Sequence, residues 1–206
     1  MNIIGTGYES LPICGVYDDT RVTHWFNALV GNSISEGMAI MDYGCGNGRL
    51  SHYLSKRIEG FTYYGIEVDS DHGRAMVEFA ENHFSDPRTS FGLVGSEIEE
   101  EAINSATLAV YGSVFTHTTI EETYGILDRH RQIIDNGGSL VFSTLLDQEY
   151  SKSEVKAYYE DGWTVVYNTF DQYLDYADKN NLELSTLDVW NSGNPREVHT
   201  ILELKK

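Results

Sequence analysis

The segment Asp42-Tyr43-Gly44-Cys45-Gly46-Asn47-Gly48 constrains this chain more than any other stretch. It follows an apolar run over residues 38–43 and precedes a helical pattern with Leu50, Tyr53, Leu54 and Ile58 on one face. A strand, a glycine loop and a helix in that order form the entry to a nucleotide-type site. The glycines let the backbone take positive φ and come close to a ligand. Glu67 lies about 20 residues downstream, at the end of the next apolar run, where an acid accepts both hydroxyls of a ribose. Arg49 stands where a nicotinamide or flavin fingerprint has its third glycine, and Asp42 would meet the phosphates of such a ligand with like charge. An ammonium or sulfonium group is instead stabilised by that carboxylate.

From about residue 20 onward, strand-like and helix-like segments alternate, which predicts a parallel sheet with crossover helices. The first helix is expected after Asp18 and Asp19, with Val22, Trp25, Phe26, Leu29 and Val30 on one face and Gly31-Asn32 as its stop. Further strands are expected at residues 62–68, 91–95, 107–111 and 139–145. The intervening helices include a weakly marked one at 97–103 and one opened by Thr119 with Glu122 three residues on, a capping box. That helix is expected to run to Asn136-Gly137-Gly138. Thr169 with Gln172 opens a last helix over residues 170–179, and strands at 182–190 and 197–204 close the chain as an antiparallel hairpin. Residues 147–163 are polar and tyrosine-rich and read as a substrate-facing insertion. The whole is one domain over residues 1–206: a helical cap (1–35), a cofactor-binding core (36–146), and the insertion with its C-terminal helix and hairpin (147–206).

The balance of 32 acids against 14 bases, a formal charge of -18, argues against binding to nucleic acid, because the domain repels a phosphate backbone. Cys14 and Cys45 allow at most one disulfide, and a crosslink at Cys45 would block the glycine loop, so a reduced interior is expected. Residues 1–15 carry no charged leader with an apolar core, and no later run approaches the ~18 apolar residues of a membrane span. The expectation is a cytoplasmic protein with no membrane partner.

With these residues in place, the chain resembles the class I S-adenosylmethionine-dependent methyltransferases. Their first motif is an acid-x-Gly-x-Gly-x-Gly loop, here Asp42, Gly44, Gly46 and Gly48. The resemblance extends to Tyr64-Gly65-Ile66-Glu67-Val68-Asp69, to Ser113-Val114-Phe115-Thr116-His117, and to Asn136-Gly137-Gly138 leading into Ser139-Leu140-Val141-Phe142. It covers roughly residues 15–146. It implies an α/β, Rossmann-like three-layer sandwich. The sheet has seven strands, mostly parallel, with an antiparallel C-terminal hairpin strand inserted between strands five and six.

The resemblance also implies a site. Gly44, Cys45, Gly46 and Gly48 touch the methionine part of S-adenosyl-L-methionine, with Asp42 near its amino group. Glu67 binds the ribose and Val68 lies against the adenine. Ser96 and Glu97 stand where the family often has an acid facing the adenine amine, and Tyr111 and Gly112 line the methyl-transfer site. Displacement at the activated methyl needs an aligned nucleophile and removal of its proton if it is an oxygen or nitrogen acid. His117 is the candidate base. Tyr17 and His24, in or before the first helix, are candidates to close over the cofactor. Tyr158 and Tyr159 are candidates to stack on a flat or sugar-like acceptor.

Other signals are weaker. Asp69-Ser70-Asp71-His72-Gly73 imitates a calcium loop, but Arg74 takes its glycine position and Ala80 the place of its last glutamate. No histidines pair at metal-ligand spacing, so no metal is expected. Strand four is followed by Tyr111-Gly112-Ser113-Val114 instead of an acid-or-Asn-Pro-Pro-aromatic segment, and neither cysteine follows a proline, which argues against amino or ring methylation of DNA bases. The expected function is methyl transfer to an oxygen or nitrogen of a small-molecule or sugar-like acceptor. The alternatives are a catalytically silent cofactor-binding partner or sensor and, disfavoured by Asp42 and Arg49, a nicotinamide-dependent reductase.

Overall fold

The structure, a computed structural model, describes residues 20–84, 86–146, 155–158, 164–191 and 198–206, and for 20–22, 155–158 and 164 the backbone alone. Its centre is a sheet of strands β1 (Ala39–Tyr43), β2 (Thr62–Glu67), β3 (Thr89–Leu93), β4 (Leu108–Tyr111) and β5 (Ser139–Leu146), all mutually parallel in the order β3-β2-β1-β4-β5. Strand β9 (Val198–Lys205) runs antiparallel beside β5 from Leu140↔Leu204 to Leu145↔His199. Strand β8 (Glu183–Asn191) pairs antiparallel with β9. These seven strands are the expected sheet, with β9 inserted between β5 and β8.

Two further strands lie in and just after the stretch read as an insertion. Strands β6 (Val155–Tyr158) and β7 (Thr164–Asn168) form an antiparallel pair, and β7 joins the end of β5 in parallel through Leu145↔Tyr167 and Leu146↔Asn168. The expected seven-stranded sheet is thereby extended to nine strands among the described residues.

Side chains alternate along each strand and feed two cores. One face takes Ile40, Tyr63, Leu108, Val110, Val141 and Ile201, and is covered by α1 (Thr20–Val30), α2 (Arg49–Ser55) and α3 (Asp71–His83). From these helices come Phe26, Leu29 and Val30, then Leu50, Tyr53 and Leu54, then Val77 and Ala80. The other face takes Met41, Ile66, Ala109, Tyr111, Leu140, Phe142 and Leu202. It is covered by α4 (Glu97–Ser105), α5 (Ile120–Arg129), α6 (Arg131–Asp135) and α7 (Phe170–Asn180). Fully burying one large apolar side chain contributes about 1.5–3 kcal/mol, whereas an exposed ion pair such as Arg88–Asp86 contributes about 0–1 kcal/mol. The two cores therefore dominate stability.

Local chemistry sets the helix starts. Ser70 caps α3 by accepting from Gly73 N at 3.0 Å, and Ser96 caps α4. The weakly marked helix after strand three is thus a capped helix of nine residues. Thr119 with Glu122, and Thr169 with Gln172, form complete capping boxes on α5 and α7. The single helix expected up to Asn136 is broken at His130, whose ring turns inward between α5 and α6. Strand three begins two residues earlier than expected because Thr89 and Ser90 already pair with Tyr63 and Tyr64.

Candidate active site

The β1–α2 loop is built on three left-handed glycines, Gly44 (φ 78), Gly46 (φ 55) and Gly48 (φ 82). At Gly44 a Cβ would also lie 2.6 Å from Val114 Cγ2. Gly44 N and Cys45 N both donate to Ile66 O, at 2.7 and 3.2 Å, so the loop is tied down onto the end of β2. One residue further, Glu67 reaches back. Its Oε2 accepts from Gly46 N at 2.8 Å and its Oε1 from Val68 N at 3.0 Å. Two backbone donors thus aim the carboxylate, and each oxygen keeps acceptor capacity for a ligand hydroxyl. Val94 N donates to Glu67 O at 2.9 Å, which draws the β3–α4 loop to the same place.

Around this centre the expected cofactor residues converge. Val68 follows the acid and is 53% exposed, an apolar side chain presented to solvent. Ser96 sits at the start of α4, its hydroxyl engaged as a cap, and Glu97 is exposed in the first turn. Gly112 follows β4; a Cβ there would lie 3.1 Å from Leu29 Cδ2 and 3.9 Å from Trp25 Nε1. These segments stand at the carboxyl ends of β1, β2, β3 and β4, across the point where the strand order reverses direction from β1, the place where open α/β sheets take ligands.

Asp42 is buried beneath the loop and accepts from Tyr63 Oη at 2.6 Å. Burial pushes its carboxyl up from the ordinary 3.8 to about 7; the Tyr63 bond pulls the other way, nearby Glu67 adds to the rise and Arg49 opposes it. A carboxyl poised near neutrality ionises when a cation arrives beside it. Cys45 is a free, buried thiol whose pKa burial pushes well above its ordinary value, so it packs and stays uncharged.

The structure corrects the placement of Tyr111 in the methyl-transfer site. Its side chain is fully buried and its hydroxyl bonds His130 Nδ1 at 2.9 Å, facing the α4–α7 core. His117 is exposed in the loop before α5. That loop is held by Ser113, a non-glycine residue at φ 63 whose N–H donates to the buried Ser143 hydroxyl at 2.8 Å. It is also held by Thr116, whose carbonyl accepts from Val166 N of β7 at 2.9 Å. His24 is exposed on α1, while its neighbour Trp25 turns to Gly112 and meets Trp190 and His199, each with ring centroids 4.9 Å away. Tyr17 and Tyr159 lie outside the described residues, and Tyr158 is placed by its backbone alone, in β6. Among the described residues no three metal-ligating side chains cluster, and no helix is long and apolar enough to cross a membrane.

Sequence reasoning missed Tyr63, Trp25 and Gly73. A Cβ on Gly73 would collide with Val68 O and lie 3.2 Å from Glu67 Cγ, so this glycine lets α3 start directly under the acid. Its signal was present in the Ser70-to-Gly73 spacing of the cap.

The strand order, the antiparallel strand beside β5 and the glycine loop facing an acid define the fold of the class I S-adenosylmethionine-dependent methyltransferases. No family model matches the sequence. Among curated proteins, the chain is 29% identical over 126 residues to a malonyl-[acyl-carrier protein] O-methyltransferase of Priestia megaterium, covering 57% of this chain and 40% of that protein. The match thus spans less than half the length of that relative. Among solved structures, a S-adenosylmethionine-dependent methyltransferase from Methanosarcina mazei superposes with TM-score 0.64 at 14% identity, over 86% of this chain and 96% of that one. Magnesium protoporphyrin IX methyltransferase from Synechocystis PCC 6803, with bound S-adenosylhomocysteine, gives 0.63 at 14% identity, over 95% and 89%.

Proposed function

We propose that this protein is a S-adenosylmethionine-dependent methyltransferase acting on an oxygen or nitrogen of a small-molecule acceptor. The observation that carries the reading is the Glu67 carboxylate, oriented by Gly46 N–H and Val68 N–H beside a loop of three left-handed glycines with the acid Asp42 beneath it. The similarity to an O-methyltransferase and to the folds of cofactor-bound methyltransferases supports it.

When bound, S-adenosylmethionine supplies a methyl group already activated by its positive sulfur. The residues of this chain then have positioning work to do. The Gly44–Gly48 loop cradles the methionine end, with Asp42 countering its ammonium. Glu67 accepts the ribose hydroxyls, and Val68 packs on the adenine with Ser96 and Glu97 at its rim. Gly112 leaves space at the end of β4 for the reacting atoms, bordered by Trp25. The cofactor would supply its methyl group to the acceptor's oxygen or nitrogen, and His117 or water would take the acceptor's proton.

The acidic surface, with a formal charge of -18, favours neutral or cationic acceptors over anionic ones. Tyr111, whose hydroxyl turns inward to His130, offers no group to an acceptor, which favours as second reading a cofactor-binding protein without turnover. Calorimetric titration with S-adenosylmethionine, S-adenosylhomocysteine and NAD in parallel tests the site. Binding of the first two alone is expected, and a preference for NAD overturns it. Methyl transfer in a screen of hydroxyl and amine compounds separates the enzyme from the silent binder.

A further inference from the structure

Beneath the cofactor-facing strand ends, on the side covered by α4 to α7, runs a chain of buried polar groups that the proposed chemistry does not use. Tyr111 Oη lies 2.9 Å from His130 Nδ1, and His130 Nε2 lies 3.2 Å from Glu99 Oε1. Glu99 Oε2 accepts from Gly95 N at 2.6 Å and from Arg129. Tyr111 and His130 are 0% exposed and Glu99 is 1% exposed.

The protons along this chain are ordered by its ends. Burial pushes the Tyr111 phenol well above its ordinary range, so its O–H donates to Nδ1. Nε2–H is then left to donate to Glu99. Burial would raise the Glu99 carboxyl, but hydrogen bonds from His130 and Gly95 and the Arg129 charge outweigh it and hold it low. Burial likewise keeps His130 below its ordinary value, as a neutral imidazole. The ring of Tyr43 packs edge-on against His130, with centroids 4.9 Å apart.

Each end of the chain adjoins a segment that faces the cofactor. Tyr43 immediately precedes Gly44, Tyr111 precedes Gly112, and Gly95 (φ 87) precedes Ser96. An apolar core of the same shape would stabilise the fold as well or better, because each buried polar group must first be stripped of water. What an apolar core lacks is direction. A hydrogen-bonded chain fixes distances and angles between the elements it joins, here β4, the α5–α6 break and the β3–α4 loop.

We infer that Glu99, His130 and Tyr111 are positioning residues, a buried network that holds the ends of β1, β3 and β4 in the register the cofactor needs. The inference rests on reading those strand ends as the S-adenosylmethionine site. None of the three touches the ligand; they act through Gly95, Gly112 and, by ring packing, Tyr43 and the glycine loop after it.

The test compares wild type with Tyr111→Phe, which removes one hydroxyl, His130→Phe, which removes both imidazole bonds, and His130→Gln, which retains a donor and an acceptor. Two quantities are read: affinity for S-adenosylhomocysteine, and amide exchange at Gly95, Gly112 and Ser113 without ligand, in samples shown to be folded by circular dichroism. Both Phe variants should weaken binding by about fivefold or more, the loss of roughly one buried hydrogen bond, and speed exchange at all three amides. Gln should recover most of the loss. Binding within about twofold of wild type, with unchanged exchange, overturns the inference. Should His130→Phe not fold, Tyr111→Phe decides alone, being the smaller change. A wild-type protein that binds no S-adenosylhomocysteine overturns the cofactor reading instead, and the ligand-free exchange still shows whether the network sets the strand ends.

Discussion

Tyr63 donates a 2.6 Å hydrogen bond to Asp42 across two neighbouring parallel strands, inside the sheet and out of reach of bulk water. Asp42 is in register with Gly65, and Tyr63 is two residues back on the same side of β2, the diagonal position. The space above Gly65 is filled by Phe91, 2.5 Å from where a Cβ would be, and by Cys45 Sγ at 3.1 Å. The carboxylate is buried against Tyr63 on the strand position next to Gly65, with Glu67 and Arg49 as the charged groups that act on it.

This burial gives Asp42 a pH signature. Its folded pKa, about 7, lies above the ordinary 3.8, so the folded chain holds this proton more tightly than the unfolded one. The stabilisation is fully present below about 3.8 and is lost as pH rises through about 7. A ligand ammonium placed beside Asp42 reverses the preference, because it needs the ionised carboxylate: affinity for S-adenosylhomocysteine, a net-neutral molecule with one ammonium, should rise between pH 6 and 8 (a range set by that pKa of about 7) and level off above it. Asp42→Asn should flatten both profiles, and Tyr63→Phe should move the binding midpoint upward. Calorimetry and denaturant melts across pH check this; a pH-independent wild type contradicts it.

Replacing Glu67 by Ala removes the acceptor proposed for the ribose and frees Gly46 N–H and Val68 N–H together. Loss of a charge-assisted bond is worth roughly 1.5–3 kcal/mol, so affinity should fall ten-fold or more. Glu67→Gln keeps one acceptor and should fall between Ala and wild type. The order of the three dissociation constants is the readout, and an unchanged constant for Glu67→Ala would falsify the placement of the site.

Gly44→Ala combines two penalties. The left-handed backbone, φ 78, costs a residue with a Cβ roughly 1–2 kcal/mol, and the new methyl meets Val114 Cγ2 at 2.6 Å. Overpacking of this sort adds about 1–3 kcal/mol. The variant should melt at lower denaturant with an unchanged slope, since the loop strains without the rest unfolding.

Gly73→Ala strikes farther from the ligand and should still reach it. The added methyl collides with the carbonyl of Val68 and crowds Glu67 Cγ, so α3 must back away from the acid. Stability should drop by about 1–3 kcal/mol, and S-adenosylhomocysteine binding should weaken even in samples that remain folded. Equal binding by wild type and variant would show that α3 and the acid move independently.

What could be read from the chain was what short-range chemistry determines. The glycine loop, Glu67 at the end of β2 and the capping boxes of Thr119 with Glu122 and Thr169 with Gln172 all lie within a few residues of the features they specify. The terminal hairpin was legible for the same reason. Tyr111 was misjudged because β4 is buried on both faces, Val110 in one core and Tyr111 in the other, so strand alternation does not say which side is the ligand's. The break at His130 was hidden because the apolar spacing of Leu127, Ile133 and Ile134 reads as one helix, while the partners that draw the imidazole inward, Glu99 and Tyr111, are 31 and 19 residues away. The β6–β7 pair was missed because the tyrosine-rich stretch 147–163, which holds β6 and runs up to β7, carries a surface pattern, and only the free end of β5 at Leu145 and Leu146 gives the pair a place to dock.

Glu67 is a hub for three strand ends: its carboxylate holds the loop after β1, its carbonyl holds the start of the β3–α4 turn, and its own strand joins them. These bonds exist in the protein alone, so the loop's freedom is surrendered when the chain folds and not when a ligand arrives. Little ordering entropy then remains to oppose association. Binding should accordingly proceed in one step, without a slow isomerisation after encounter, and affinity differences among cofactor analogues should reside in how fast each one leaves.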